Sequence, residues 1–189
     1  EEVEDIDVDA AQSDGRTVLH YACEKGDVGI CELILSKSDK CINSRTTDKK
    51  TPIELACQNE NVEIIRLLLK YVSEMQINAK FFDGNTILTK ACIQQSVDVV
   101  KLLLESTVID VNAANKNEKT ALFIVARNGN EQICRMLLNH EKIDLSITRY
   151  DKTVLYEACK YGNADIAELL IKKGAKADCV TKNGKTPLH

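Results

Sequence analysis

The chain has 189 residues, of which 44% are hydrophobic, 29% charged and 4% aromatic, with a formal net charge of -4 and a pI near 5.5. No apolar run approaches the roughly 18 residues a membrane-spanning helix needs, and the acidic balance argues against general nucleic-acid binding. A secretory leader pattern is absent and the first residue is Glu1, as expected of a chain that starts at a domain boundary.

In chain order the sequence is one small unit written repeatedly. A threonine followed two residues later by an aliphatic and five later by a small residue stands at Thr17, Thr51, Thr86, Thr120, Thr153 and Thr186, with Val125 the one larger residue. The spacings are 34, 35, 34, 33 and 33 residues, a period that belongs to a stack whose neighbouring units bury one another's apolar faces.

The first copy opens at Asp14-Gly15, a pair suited to a tight hairpin with positive φ. Thr17 caps a short helix with Leu19 and Ala22 inward, and Asp27 caps a second helix carrying Ile30, Leu33 and Ile34. The chain then extends through Ile42-Asn43. In the second copy Lys49 stands where the first has glycine, so its turn is expected to be strained or of another type. Thr51, Pro52 and Glu54 form an N-cap, first-turn proline and capping-box set, followed by Ile53/Ala56, the cap Asn61, the stripe Ile64/Leu67/Leu68 and an extended Ile77-Asn78. The third copy repeats this as Asp83-Gly84, Thr86, Leu88/Ala91, Ser96, Val99/Leu102/Leu103 and Val111-Asn112. The fourth has Glu118 in the turn, Thr120, Asn130 and Ile133/Met136/Leu137; the fifth has Asp151, Thr153, Leu155/Ala158, Asn163 and Ile166/Leu169/Leu170. A sixth begins with Asn183-Gly184 and Thr186 and reaches only His189, which leads us to expect an excerpt of a longer array.

The wording of the repeat resembles the ankyrin repeat family, whose motif at the first helix is Thr-Pro-Leu-His-x-Ala. It reads Thr17-Val18-Leu19-His20-Tyr21-Ala22, Thr51-Pro52-Ile53-Glu54-Leu55-Ala56, Thr86-Ile87-Leu88-Thr89-Lys90-Ala91, Thr120-Ala121-Leu122-Phe123-Ile124-Val125 and Thr153-Val154-Leu155-Tyr156-Glu157-Ala158. The resemblance implies an all-α solenoid of stacked helix-turn-helix units with projecting β-hairpin fingers. It implies a single domain over 1–189, with repeats at about 14–47, 48–82, 83–116, 117–149 and 150–182 and a partial sixth at 183–189. The Gly-Ala pair that ends the second helix in the family survives only as Gly174-Ala175.

Phase also sorts the eight cysteines. Cys23, Cys57, Cys92 and Cys159 each lie six residues after an anchor threonine, and Cys31 and Cys134 share another position, so they read as core fillers. Cys41 and Cys179 fall in connectors and are the candidates for exposed thiols. No cysteine and histidine pattern has zinc spacing, and no phosphate loop or nucleophile elbow appears, so neither cofactor nor active site is expected. Free buried thiols in this number imply a reducing compartment, cytoplasmic or nuclear.

A binding surface remains. The six residues before each anchor hold eleven basic side chains against five acidic ones, a basic ladder on a net acidic chain. The resemblance implies that these finger tips and the exposed side of the first helix line a concave binding face. The finger candidates are Lys49, Lys50, Phe82, Lys116, Lys119, Arg149, Tyr150 and Lys152. From the first helices come Ile93, Arg127 and Tyr161, among groove positions that also include Lys25, Gln58, Asn59, Gln94, Asn128 and Lys160. Together they predict a monomeric, non-catalytic scaffold for a partner polypeptide, with an acidic or phosphorylated segment as the sharper expectation. The alternatives are a cytosolic regulatory or substrate-recruiting array within a larger enzyme, channel or ubiquitin-ligase component and, further off, nucleic-acid binding.

Overall fold

Each anchor threonine among the described residues starts a helix in the computed structural model, which describes residues 7–177. In chain order the helices are α1 (Val18–Lys25), α2 (Val28–Lys37), α3 (Pro52–Gln58), α4 (Val62–Leu68), α5 (Glu74–Ile77), α6 (Ile87–Gln94), α7 (Val97–Leu104), α8 (Ala121–Asn128), α9 (Glu131–Leu138), α10 (Val154–Lys160) and α11 (Ala164–Lys172). The expected start of a sixth copy, from Asn183 to His189, lies outside the described residues.

The threonine side chains satisfy N–H groups that a helix start leaves unpaired. Thr51, Thr86, Thr120 and Thr153 accept from the N–H groups of Glu54, Thr89, Phe123 and Tyr156 at 3.2–3.4 Å. In α6 the bond is reciprocated by Thr89 (Thr86 N–H to Oγ1, 2.8 Å), and in α1 the returning acceptor is His20 Nδ1 (3.1 Å from the Thr17 N). Histidine and threonine thus do the work of the glutamate of a conventional capping box.

The chain divides into two compact units, Glu1–Phe82 and Asp83–His189. In the first, α1 packs on α2 and α3, α3 on α4, and α2 on α4. The second repeats the scheme with a row of first helices, α6, α8 and α10, beside a row of second helices, α7, α9 and α11. Leu19, Leu88, Leu122 and Leu155 of the first helices and Leu68, Leu103, Leu137 and Leu170 of the second are buried, as the repeat pattern predicts. Ile30 and Leu33 depart from it, being 43% and 59% exposed. Their side of α2 has no preceding second helix among the described residues, whereas α2 covers Ile64 on α4, α7 covers Ile133 on α9 and α9 covers Ile166 on α11.

Two further expectations are corrected by the connectors and caps. The segments around Ile42 and Ile77 are not extended: Lys40–Asn43 forms a 3₁₀ turn and Glu74–Ile77 is α5, started by reciprocal bonds between Ser73 and Gln76. Ile42 and Ile77 are both buried, and the turns bring them into the core. Asn61 and Asn163 stand at helix N-caps, yet their amides do not cap α4 and α11. They reach back to the preceding copy, Asn61 donating to the Cys23 carbonyl (3.0 Å) and Asn163 to those of Ala126 (2.7 Å) and Arg127 (3.1 Å).

The fingers are tight turns rather than β-hairpins, for the described residues contain no strand and only one antiparallel backbone pair, Arg149 with Lys152. In the first, second and fourth copies the loop is closed by one bond across its base, as from Thr46 N–H to the Lys50 carbonyl (3.0 Å), and one inside it, from Lys49 N–H to the Thr46 carbonyl (2.7 Å). This is a type I turn with a left-handed residue after it. Gly15 (φ 76°) takes that place without strain, but Lys49 (61°) and Glu118 (59°) adopt it too. In the fifth copy Tyr150 (49°) and Asp151 (60°) are both left-handed, so that turn is of the primed type. The expected strain and the expected change of turn type are therefore both present.

The cysteines follow their phase. Cys23, Cys31, Cys57, Cys92 and Cys134 are buried and Cys159 is half-buried. Cys41 corrects the expectation of an exposed thiol: the 3₁₀ turn aims it inward, and burial followed by the nearby Asp9 carboxylate pushes its pKa up to about 11. Cys179 lies outside the described residues. Because Cys92 is fully buried and burial alone pushes its thiol up, Cys92→Ser is expected to destabilise by about 1–3 kcal/mol, the penalty for a desolvated hydroxyl. An unchanged denaturant midpoint would contradict this.

Candidate functional site

The sequence candidates divide between the two units. In the first, Lys49 sits with its ammonium 5.7 Å from the ring centre of Phe82, which is 66% exposed, and Lys50 Nζ donates to Gln58 Oε1 (3.2 Å). In the second, Ile93 is exposed at the end of α6, and Lys116 lays its aliphatic chain where a Cβ on Gly84 would be. Lys116 also donates its backbone N–H to the Gly84 carbonyl (2.7 Å), so it joins the fingers of the third and fourth copies. Lys152 lies over Tyr156, 5.4 Å from the ring centre.

A single register governs the charges. In the first two copies the residue before the anchor threonine meets the residue seven after it, so the finger base faces the end of its own first helix. In the first copy this pairs Arg16 with Glu24 (2.5 Å), and in the second Lys50 with Gln58. The third has Asn85 at the finger base, while Lys90 of α6 is neutralised by Asp83 of the finger (2.5 Å). In the fourth copy the same two positions hold Lys119 and Arg127, whose field reaches Lys119, and in the fifth they hold Lys152 and Lys160. The ladder is thus interrupted: its upper rungs are answered within their own copies, while Lys119 faces the fields of Arg127 and Arg149.

Two tethers between the fourth and fifth copies gather these lower rungs. At the fingers, Arg149 Nε donates to the Asn117 carbonyl (2.6 Å), with its guanidinium 4.4 Å from the Tyr150 ring centre. At the helix ends, Tyr161 lies between the Arg127 guanidinium (5.0 Å) and the Lys160 ammonium (5.2 Å). Such cation–π contacts contribute about 0.5–1 kcal/mol each at exposed sites and fix where the charges point. Lys119, half-buried between the tethers, has its pKa lowered, first by burial and then by the fields of Arg127 and Arg149. Glu157 opposes them only in part. It is 7% exposed, and its Oε2 accepts no hydrogen bond.

The structure therefore brings Lys119, Arg127, Arg149, Tyr150 and Tyr161 together. Lys160, one of the further groove positions, belongs with them, as does Glu157, which is not among the sequence candidates. The signal for Lys160 was in the sequence: the position seven after the anchor is Glu24, Gln58 and Ile93 in the first three copies and Arg127 and Lys160 in the last two. Among the described residues none of the four cations forms a salt bridge. Nor does any group of three or more His, Cys, Asp or Glu there have a metal-holding arrangement, and no helix is long and apolar enough to cross a membrane.

Comparison with known proteins places this architecture. The family model described as ankyrin repeats (3 copies) matches residues 2–81, 41–115 and 72–149, and that described as ankyrin repeats (many copies) matches 136–189. Over 174 residues, 89% of this chain, the sequence is 30% identical to the ankyrin repeat and KH domain-containing protein mask-1 of Caenorhabditis elegans, of which it covers 6%. It is 24% identical over 90% of its length to the human transient receptor potential cation channel subfamily A member 1, covering 12% of that protein. A probable serine/threonine-protein kinase of Dictyostelium discoideum is 36% identical over 90 residues, 45% of this chain and 11% of the kinase. The chain thus spans a small part of the curated relatives it matches. Among solved structures, an ankyrin repeat domain of Acinetobacter baumannii superposes with a TM-score of 0.80 at 25% identity, covering 90% of this chain and 87% of that one. The ankyrin repeat domain of Bcl-3 gives 0.82 at 23% identity over 93% and 79%. Ankyrin repeats are generally non-catalytic protein–protein interaction modules, and this chain, an all-α repeat solenoid, belongs to the ankyrin repeat family.

Proposed function

We propose that the chain is a non-catalytic interaction module that holds an acidic segment of a partner polypeptide on the finger and first-helix face of its second unit. The observation that carries this reading is the group of four cations, Lys119, Arg127, Arg149 and Lys160, held together without an ion-pair partner. Exposed basic residues alone are ordinary solvated surface. Cations whose own register opposes them to one another raise the free energy of the empty face, and an anionic ligand relieves that repulsion. The free thiols support placing this binding in a reducing compartment, cytoplasm or nucleus. Likeness to stretches of a channel and a kinase supports a regulatory role within a larger protein as the second reading.

The test is a titration of the chain with fluorescently labelled decaglutamate and decaglutamine. Decaglutamate is expected to bind, with affinity falling about tenfold between 50 and 200 mM salt, as screening weakens exposed charge contacts. Equal binding of the two peptides would remove the electrostatic reading.

A further inference from the structure

We infer that the cluster of Lys119, Arg127, Arg149 and Lys160 receives a phosphoryl dianion carried on a serine or threonine side chain of the partner. This rests on the reading above and names the group that the reading leaves open.

Charge is the first argument. Four cations gathered on one face are only partly offset by one carboxylate ligand, whereas a phosphoryl group brings close to two negative charges. Donor geometry is the second. Arg149 spends its Nε on the Asn117 carbonyl, and Arg127 lies over the Tyr161 ring. Arg149 is thus oriented by the Asn117 carbonyl and the Tyr150 ring and Arg127 by the Tyr161 ring, and both keep further N–H groups, while Lys119 and Lys160 supply point charges from the fourth and fifth copies. Three phosphoryl oxygens can accept from such convergent donors, with a bidentate guanidinium contact the strongest of its kind.

The third argument separates a polypeptide from a nucleic acid. Glu157 is buried beside Lys119 with an oxygen that lacks a donor. A buried carboxylate there adds a negative charge that a continuous phosphate backbone tracking the cluster would meet repeatedly, whereas a single phosphorylated side chain can seat on the cations away from it. Burial of Lys119 among like charges acts in the same direction, since an arriving dianion offsets the repulsion that lowers its pKa.

The experiment uses the whole chain and three labelled peptides with identical acidic flanks and serine, glutamate or phosphoserine at the centre. The phosphoserine peptide is expected to bind at least tenfold more tightly than the glutamate peptide. Lys119→Gln and Lys160→Gln should each weaken it about tenfold while changing the glutamate peptide by threefold or less. Lys101→Gln, an exposed cation on α7, should change neither, and circular dichroism melts confirm that each variant is folded. Equal affinity for the phosphoserine and glutamate peptides would overturn the dianion and leave the acidic-segment reading standing. Equal affinity for all three, unaffected by the cluster variants, would overturn both. Tighter binding of an oligothymidylate of matched charge would overturn the polypeptide assignment in favour of single-stranded nucleic acid.

Discussion

Replacing Arg127 by glutamate is expected to lower affinity for an acidic partner segment about a hundredfold while leaving the chain as stable as before. The two halves of this prediction have one cause. In the first copy the position seven after the anchor is Glu24, which accepts from Arg16 at 2.5 Å. Arg127→Glu writes that pair into the fourth copy, with Lys119 in the place of Arg16. An exposed pair contributes about 0.2–1 kcal/mol, and the lost contact with Tyr161 takes away a similar amount. The melting midpoint should therefore lie within about 2 °C of the wild type. Binding, by contrast, loses a donor and gains a repulsive charge at its centre, and charge reversal at such a site costs on the order of 2–5 kcal/mol. Calorimetric melts and peptide titrations on the same preparation decide the matter. A drop of about 5 °C or more would make Arg127 a structural residue, and retained affinity would move the ligand off this face.

The second large effect is expected at His20. Its ring is fully buried and all of its polar capacity is used: Nδ1 accepts from the Thr17 N–H (3.1 Å) and lies 2.9 Å from Thr17 Oγ1. Nε2–H faces the carbonyls of Ser44 (3.1 Å), in the connector that ends the first copy, and Lys50 (3.2 Å), in the finger of the second. One side chain thus caps α1 and fastens the next finger. His20→Ala leaves those groups with fewer partners and opens a cavity, a combined loss of about 2–4 kcal/mol.

The same residue sets a pH dependence. Burial, the largest influence, lowers the His20 pKa, although the two carbonyls and Asp14 oppose it and Arg16 adds to it. The folded state therefore resists protonation that the unfolded chain accepts. Stability contributed by this group is complete above the ordinary histidine pKa of about 6.5 and declines as pH falls from there towards the lower folded value. Melts at pH 7.5 and 5.5 should show wild type losing more than His20→Ala over that interval. Parallel losses would assign the acid sensitivity to other groups.

Much of this architecture is legible in the residues because its determinants are local. Thr51 and Pro52 announce a helix start wherever they stand, and Leu88, Ala91 and Cys92 recur at spacings that fit one buried face. What the residues conceal depends on partners far along the chain. Nothing near Asn61 or Asn163 says that the amide will turn from its own helix to the carbonyls of the copy before, some 37–38 positions back. The 3₁₀ turn at Lys40–Asn43 likewise depends on a cavity that only the folded copies create for Cys41 and Ile42. The basic ladder shows the same division. Its charges can be counted from the sequence, but not which of them are already answered by Glu24 or Asp83.

The backward-reaching asparagines have a consequence for how the array behaves under load. A copy that peels away withdraws the donors that held the end of the helix before it, as Asn163 does for the end of α8. That end carries Arg127. Tension that lifts α11 would then slacken Arg127, one of the cations proposed to meet the acidic segment. Stretching would thus loosen the proposed binding face through two hydrogen bonds, before any helix melts.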